Sequence, residues 1–155
     1  MADMKKGTDE GSRPFDPLQE AMRRIEEAER TSASDLRLSD LGFGPVLRPY
    51  WDGWERLGRL DELRFLYLDN NQIITIPVEG WDALGHLAGL CWLDLSDNQL
   101  TAIPAEGWAA LERLGDLTAL DLSRNRLTHI QSVGWETLGR MTRLKYLWLC
   151  SRIYG

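Results

Sequence analysis

The stretch from Leu90 to Asp116 reads LCWLDLSDNQLTAIPAEGWAALERLGD, and segments of the same length align with it on both sides without gaps. The preceding segment, LRFLYLDNNQIITIPVEGWDALGHLAG, begins at Leu63, and the following one, LTALDLSRNRLTHIQSVGWETLGRMTR, begins at Leu117. They share the frame LxxLxLxxNxLxxIPxxGWxxLxxLxx every 27 residues, apart from Ile73 and Met141 at leucine positions and Gln131 in place of the proline. A fixed period of this size predicts a stack of equivalent structural units.

Within each segment the hydrophobic pattern changes from that of a strand to that of a helix. Leu66 and Leu68 alternate with other side chains, which is typical of a strand, whereas Trp81, Leu84 and Leu87 have helical spacing. A strand followed by a helical return predicts a right-handed crossover to a parallel neighbour. One unit offers roughly seven buried apolar side chains, each worth ~1.5–3 kcal/mol. Because ordering costs ~1–2 kcal/mol per residue, the units must stack to be stable.

An asparagine follows each predicted strand, where the chain turns inward and buries backbone groups. A short amide donates to and accepts from backbone groups of adjacent coils, which predicts a ladder of Asn71, Asn98 and Asn125. Counting 27 residues back from Leu63 places a degenerate first unit at Leu36, and a partial unit, LKYLWLCSRIYG, begins at Leu144. Gly44 and Arg152 then occupy the asparagine position, so the ladder is expected to fail at both ends.

The segment before the first unit, DPLQEAMRRIEEAERTSASD, predicts a helix that covers the end of the stack. Asp16 is placed to cap this helix, and Pro17 suits its first turn. Its apolar face comprises Leu18, Ala21, Met22, Ile25 and Ala28. Since the end of a repeat stack needs a cover, we assign residues 15–35 to an N-terminal capping helix and residues 1–14 to a flexible tail.

The shared frame resembles the leucine-rich repeat pattern over residues 36–155, because the LxxLxLxxNxL block occurs three times with its asparagine in place. This resemblance implies an α/β fold, a right-handed β-α solenoid with a parallel concave sheet of about five strands. The coils it implies are a degenerate first coil, three full coils and a partial one: 36–62, 63–89, 90–116, 117–143 and 144–155.

The run RRIEEAERTSASDLRLSDLGF is also similar to the start of leucine-rich repeat domains in bacterial Roco-type proteins. The chain contains no GxxxxGK phosphate loop, so the GTPase part of those proteins is not carried over. The resemblance implies protein–protein recognition through the concave sheet.

Composition narrows the class of protein. With 155 residues, 43% hydrophobic and 27% charged, the chain suits one folded domain. A net charge of −6 disfavours binding to nucleic acid or anionic membranes, both of which need a basic surface.

Two cysteines, Cys91 and Cys150, lack the spacing of a zinc site or a redox pair. A reducing cytoplasm is therefore the predicted location, and the resemblance to bacterial Roco-type proteins implies that it is a bacterial one.

A Gly-Trp pair recurs in register in each helical return. The tryptophans are expected to fill a thick coil, and the glycine before each is expected to permit a tight turn into the helix. They are Trp54, Trp81, Trp108 and Trp135.

The LxxLxLxx part of the frame, which predicts the strand, determines which side chains face outward. Because its leucines point to the core, the residues between them point to the concave face and form transverse rows. One predicted row is Phe65, Trp92, Ala119 and Tyr146, and the next is Tyr67, Asp94, Asp121 and Trp148. The aromatic rings surround an acidic strip that includes Asp69 and Asp97. The candidate partner-binding residues are Phe65, Tyr67, Asp69, Trp92, Asp94, Asp97, Asp121, Arg124, Tyr146 and Trp148.

This face predicts binding of a protein or peptide that carries Lys or Arg together with apolar groups. Aromatic residues are favoured at interfaces, and the like charges of Asp94 and Asp121 need a compensating cation. In the alternative reading the rings stack laterally and only cover the sheet. A catalytic acid pair is disfavoured, because no histidine accompanies it and a regular repeat forms a shallow surface. A cation between the two aspartates is a further alternative, which calorimetric titration with calcium or magnesium tests.

The sequence therefore predicts a non-enzymatic binding or scaffold module without catalytic residues, metal or cofactor. Two alternatives stay open: a regulatory part of a longer bacterial signalling protein, and a secreted effector that binds host proteins. The partial last coil predicts exposed apolar surface. That surface either continues into a longer protein or pairs with a second copy as a homodimer.

Overall fold

The computed structural model describes residues 13–45 and 47–149. Strands and helices alternate along the chain: α1 (Pro17–Thr31), β1 (Asp35–Arg37), α2 (Gly53–Gly58), β2 (Phe65–Tyr67), α3 (Val78–Gly85), β3 (Trp92–Asp94), α4 (Ala105–Glu112), β4 (Ala119–Asp121), α5 (Ser132–Arg140) and β5 (Tyr146–Trp148). The strands form one sheet in the order β1-β2-β3-β4-β5, and every neighbouring pair is parallel. The predicted α/β solenoid with a five-stranded parallel sheet is confirmed.

The strand leucines build a core that runs through the whole stack. Leu66, Leu93 and Leu120 occupy the centres of β2, β3 and β4 and are each 0% exposed. They belong to a single hydrophobic cluster to which every helix contributes or packs. Each coil thus buries its apolar side chains partly against its neighbours, as a repeat stack requires.

The asparagine ladder is present and links successive coils. Asn98 is 5% exposed, and its Nδ2 donates to the carbonyl of Leu95 in its own coil at 3.1 Å and to that of Leu68 in the preceding coil at 3.0 Å. Its Oδ1 accepts from the backbone N–H groups of Asn71 and Ile73. Asn71 and Asn125 are buried and bond in the same manner. Arg152, the predicted end of the ladder, lies outside the described residues.

The first coil has a different register from the one that counting back 27 residues predicts. The sheet pairs Leu36 with Leu66, thirty positions apart, whereas Leu66 pairs with Leu93, twenty-seven apart. The residue in the asparagine position is therefore Leu41, whose N–H donates to Asn71 Oδ1 at 2.9 Å, and not Gly44. Compared with the other coils, the first coil has three additional residues between β1 and α2. Helix α2 therefore keeps the predicted 27-residue spacing to the next coil, and β1 does not.

The glycine of each Gly-Trp pair makes room for the tryptophan of the preceding coil. A Cβ on Gly107 would lie 2.9 Å from the indole of Trp81, and one on Gly134 would lie 2.6 Å from that of Trp108. Neither glycine has a positive φ, so the predicted role in a tight turn is wrong: the constraint is the missing side chain. At the first coil Trp51, which precedes the pair, fills the space beside Gly53.

Helix α1 covers the N-terminal end of the stack. Asp16 Oδ1 accepts from the N–H of Leu18 at 3.0 Å, so the predicted cap is confirmed, and Pro17 occupies the first turn. Ile25 is 0% exposed, and the helix also buries Ala21 and Ala28. The first coil is therefore shielded on the side that no other coil covers.

The other end of the described chain is more exposed, and we call it the C-terminal face. It comprises Trp135, Leu138, Gly139, Leu144, Leu147 and Leu149. Trp135 is 55% exposed, whereas its counterparts Trp54, Trp81 and Trp108 are 1–4% exposed. Thus the tryptophans fill the coils as predicted where another coil follows, and Trp135 does not.

Candidate functional site

The outward-facing strand residues form the two predicted rows. The sheet register aligns Phe65, Trp92, Ala119 and Tyr146 in one row, and Tyr67, Asp94, Asp121 and Trp148 in the next. This register follows from the stacking of near-identical coils, because each strand leucine must sit directly over its equivalent in the core. Asp35 and Arg37 of β1 extend the rows at the N-terminal end.

Three aromatic rings meet over the C-terminal half of these rows, and we call Trp92, Tyr146 and Trp148 the aromatic cluster. The ring centroids of Trp92 and Trp148 are 5.5 Å apart, and those of Tyr146 and Trp148 are 5.8 Å apart in a stacked arrangement. Ala119, predicted to be on the surface, is only 1% exposed, because these larger neighbours close over its methyl group. Tyr146 and Trp148 keep 57% and 39% of their surface exposed.

The indole N–H of Trp92 is buried and has no hydrogen-bond acceptor within the part of the chain that the structure describes. A buried donor without a partner is unfavourable by ~1–3 kcal/mol. A ligand that displaces the neighbouring ring and offers a carbonyl oxygen to this N–H would remove that penalty.

Three carboxylates lie on the concave face: Asp94 and Asp121 share a row with Trp148, and Asp69 lies nearer the N-terminal end beside Ser39. Serines donate hydrogen bonds to all three. Asp69 accepts from Ser39 Oγ at 2.5 Å. Asp94 accepts from the N–H and the hydroxyl of Ser96 at 2.9 and 2.6 Å, and Asp121 accepts from the N–H of Ser123 at 2.8 Å. The carboxylates of Asp94 and Asp121 occupy paired positions on adjacent strands.

Asp94 is the carboxylate most affected by this environment. Burial raises its pKa, the hydrogen bonds from Ser96 oppose that shift, and the negative charges of Asp69 and Asp121 raise the pKa further. The ionised form of Asp94 is thus held on the concave face at a cost in stability. A cationic group placed between Asp94 and Asp121 would offset it.

The N-terminal half of the face contains a residue that the sequence analysis missed. The guanidinium of Arg37 lies 4.4 Å from the ring centroid of Tyr67, a cation–π arrangement. The predicted first-coil register was wrong by three residues and therefore did not place Arg37 in this row. Phe65 is 40% exposed at the start of β2.

Two of the predicted residues, Asp97 and Arg124, lie away from the aromatic cluster. Both follow their strands with positive φ angles of 52° and 53°, and Arg124 Nε lies 3.3 Å from Asp97 Oδ2. They line a polar cleft with amide side chains, including those of Asn70 and Gln99. The structure therefore separates the ten predicted residues into seven on the strands, Asp69 just after β2, and this ion pair.

Residues 62–127 match the family description leucine rich repeat. These coils are leucine-rich repeats. The match covers neither α1 nor β5, and the resemblance of the N-terminal segment to Roco-type proteins stays a prediction. Among curated proteins, none matches the sequence.

One solved structure similar to these leucine-rich repeats is the LRR ectodomain of the receptor kinase SOBIR1 from Arabidopsis thaliana. The identity is 20%, the similarity covers 74% of this chain and 67% of that chain, and the TM-score is 0.44. Similarity at this level carries no argument about what the protein binds.

Leucine-rich repeats are in general protein-binding modules without enzymatic activity, and the family supports that role here in general terms. In the described ranges, no group of three His, Cys, Asp or Glu side chains is placed to hold a metal ion. Within the same ranges, no helix is long and apolar enough to cross a membrane.

Proposed function

We propose that this protein is a non-enzymatic binding module that recognises a protein or peptide through its concave face. The observation that carries the proposal is the alignment of Asp94 and Asp121 beside the aromatic cluster. Rigid rings supply contact area at low entropic cost, and the two carboxylates supply a site for positive charge. The partner therefore carries a Lys or Arg side chain next to apolar groups.

The state of Asp94 supports a cationic partner more than a passive covering role for the face. Side chains that only cover the sheet would not require a half-buried, like-charged carboxylate pair. Burial and the neighbouring negative charges disfavour the ionised form of Asp94 in the free protein. A partner's ammonium or guanidinium group would reverse this balance, and binding should therefore weaken as the pH falls and Asp94 becomes protonated.

The buried N–H of Trp92 supports a partner with an exposed backbone. If Trp148 moves off Ala119, the opened slot can accept an apolar side chain while a partner carbonyl accepts the Trp92 N–H. An extended peptide offers both groups at once. Charge and shape thus favour a flexible basic segment over a folded acidic surface.

The proposal includes a reducing, cytoplasmic setting in a bacterium. Cys91 is half-buried and unpaired in the portion of the chain that the structure describes. Alkylation of the protein from its native source, without prior reduction, should modify a free thiol at Cys91.

The test selects random peptides displayed on phage against the immobilised wild-type protein. Selected peptides should combine Lys or Arg with apolar residues. Calorimetry should show their affinity reduced by about tenfold or more for the double variant Asp94→Asn, Asp121→Asn, which corresponds to ~1.4 kcal/mol. Trp92→Ala should reduce it as well.

A matched control removes the same charge from the convex helices, with Glu79→Gln and Asp82→Asn in α3. This control should bind the peptides like the wild type, and denaturation curves should show that all variants fold. Peptides that bind the concave and convex variants equally well would contradict the proposal.

A further inference from the structure

Two positions on each helix face the following coil. They are four residues apart, so they lie on the same side of the helix one turn apart. At the first position, Trp81 approaches Gly107 of the next coil. At the second position, a Cβ on Gly58 would lie 3.4 Å from Ala83 of the next coil, and Glu112 accepts from Arg140 at 2.6 Å. These positions therefore form the contact between coils.

In α5 the same two positions are Trp135 and Gly139. Trp135 is 55% exposed, and a Cβ on Gly139 would meet nothing within 4 Å among the described residues. The indole ring of Trp135 thus lies one helical turn from Gly139, where there is open space and no side chain. The leucines below them, including Leu147 and Leu149, are only half-buried, whereas Leu120 and Leu122 in the preceding coil are 0% and 1% exposed.

The geometry points to a second copy of this chain on the C-terminal face, related to the first by a twofold axis. If two α5 helices meet antiparallel, Trp135 of each copy lies over Gly139 of the other. The same surface then serves both partners, as an isologous interface requires. This inference does not depend on the proposed concave-face function.

The N-terminal end decides the orientation of the two copies. A head-to-tail arrangement would place the C-terminal face of one copy on the first coil of the next. In this chain α1 covers the first coil with Ile25, and Trp51 already fills the space beside Gly53. Only the tail-to-tail arrangement leaves both surfaces accessible, and it closes at two copies.

The sheet fits the same arrangement. A twofold axis through the centre of α5 brings the two β5 strands together antiparallel along the edge of the sheet.

Sedimentation velocity of the full chain, from micromolar to near-millimolar concentration, tests the inference. The wild type should form a species of twice the chain mass of 17.7 kDa. Trp135→Ala and Gly139→Arg should each raise the dissociation constant by about tenfold or more. The control Gly115→Arg should dimerise like the wild type, because a side chain on Gly115 also meets nothing within 4 Å, on an inner coil.

A wild type that stays monomeric throughout overturns the inference, as does a dimer that neither α5 variant weakens. If removal of residues 150–155 converts a monomer into a dimer, those residues cover the face themselves, and the full chain does not dimerise through it. Circular dichroism of each variant separates loss of dimer from loss of fold.

Discussion

The two ends of this leucine-rich repeat stack differ although they bound the same repeating unit. At the N-terminal end, α1 buries Ile25 completely against the first coil, and Trp51 occupies the space beside Gly53. At the C-terminal face, Trp135 is 55% exposed and Gly139 has open space beside it. The comparison shows that one sequence frame specifies a unit, and that its neighbours decide whether the apolar residues of the unit are buried.

The largest expected difference between an inner coil and the C-terminal face concerns the tryptophans. Trp108→Ala should lower the free energy of unfolding by ~3–5 kcal/mol, because it removes a ring that is 2% exposed and leaves a cavity. Trp135→Ala should lower it by no more than about 1 kcal/mol in dilute solution. Urea denaturation measures both values, and equal losses would show that Trp135 is buried in solution.

Replacing a glycine by alanine should have a smaller effect on stability, and the sign of the effect should differ between an inner coil and the C-terminal face. Gly107→Ala should destabilise the protein by ~1–3 kcal/mol, since the new Cβ would lie 2.7 Å from Ile103 and 2.9 Å from Trp81. Gly139→Ala should stabilise the monomer by up to ~1 kcal/mol, because alanine is the better helix former and space is available. Thermal unfolding at low protein concentration measures both. A destabilising Gly139→Ala would mean that another group occupies the site.

The smallest effect compares a carboxylate of the N-terminal helix with one of the concave face. The hydrogen bonds from Arg23 and Arg24 lower the pKa of Glu20 to about 2, so its stabilisation is present above the unfolded pKa and is lost as the pH falls toward 2. Glu20→Gln should therefore lower stability at neutral pH, by ~0.2–1 kcal/mol after solvent screening, and should equal the wild type in strong acid.

Asp94 should show the opposite sign. Burial raises its pKa in the folded state, so its favourable contribution is present below the unfolded pKa and is lost as the pH rises through the folded value. Asp94→Asn should therefore be more stable than the wild type at neutral pH, by about 0.2–1 kcal/mol for a relieved like-charge pair. The difference should disappear as the pH falls. Denaturation across a pH series measures both variants, and parallel profiles would contradict the assignment.

The sheet register and the two outward rows were predictable from the sequence, because near-identical coils can stack their strand leucines in only one register. The first coil was not. Trp54 lies 27 residues before its equivalent Trp81, whereas Leu36 lies 30 residues before its equivalent Leu66. In a degenerate unit, the sequence does not show where the three additional residues are inserted. Arg37 was missed for this reason. The segment DLRL, which begins at Asp35, would have revealed it if it had been aligned with FLYL at Phe65, three residues away from the 27-residue spacing.

The repeat frame was enough to predict the coil, the asparagine ladder and the alternation of core and surface residues, since these depend on the residues of one unit and on the period at which it repeats. The packing of the folded chain was needed to explain why each Gly-Trp pair needs its glycine, why Ala119 is buried and why Trp135 is exposed. These properties depend on side chains in adjacent coils, or on there being no coil beyond α5 and β5 in the described chain. The Gly-Trp pair and the strand leucines recur whether or not a neighbouring coil is present, so these residues alone cannot distinguish an inner coil from an end.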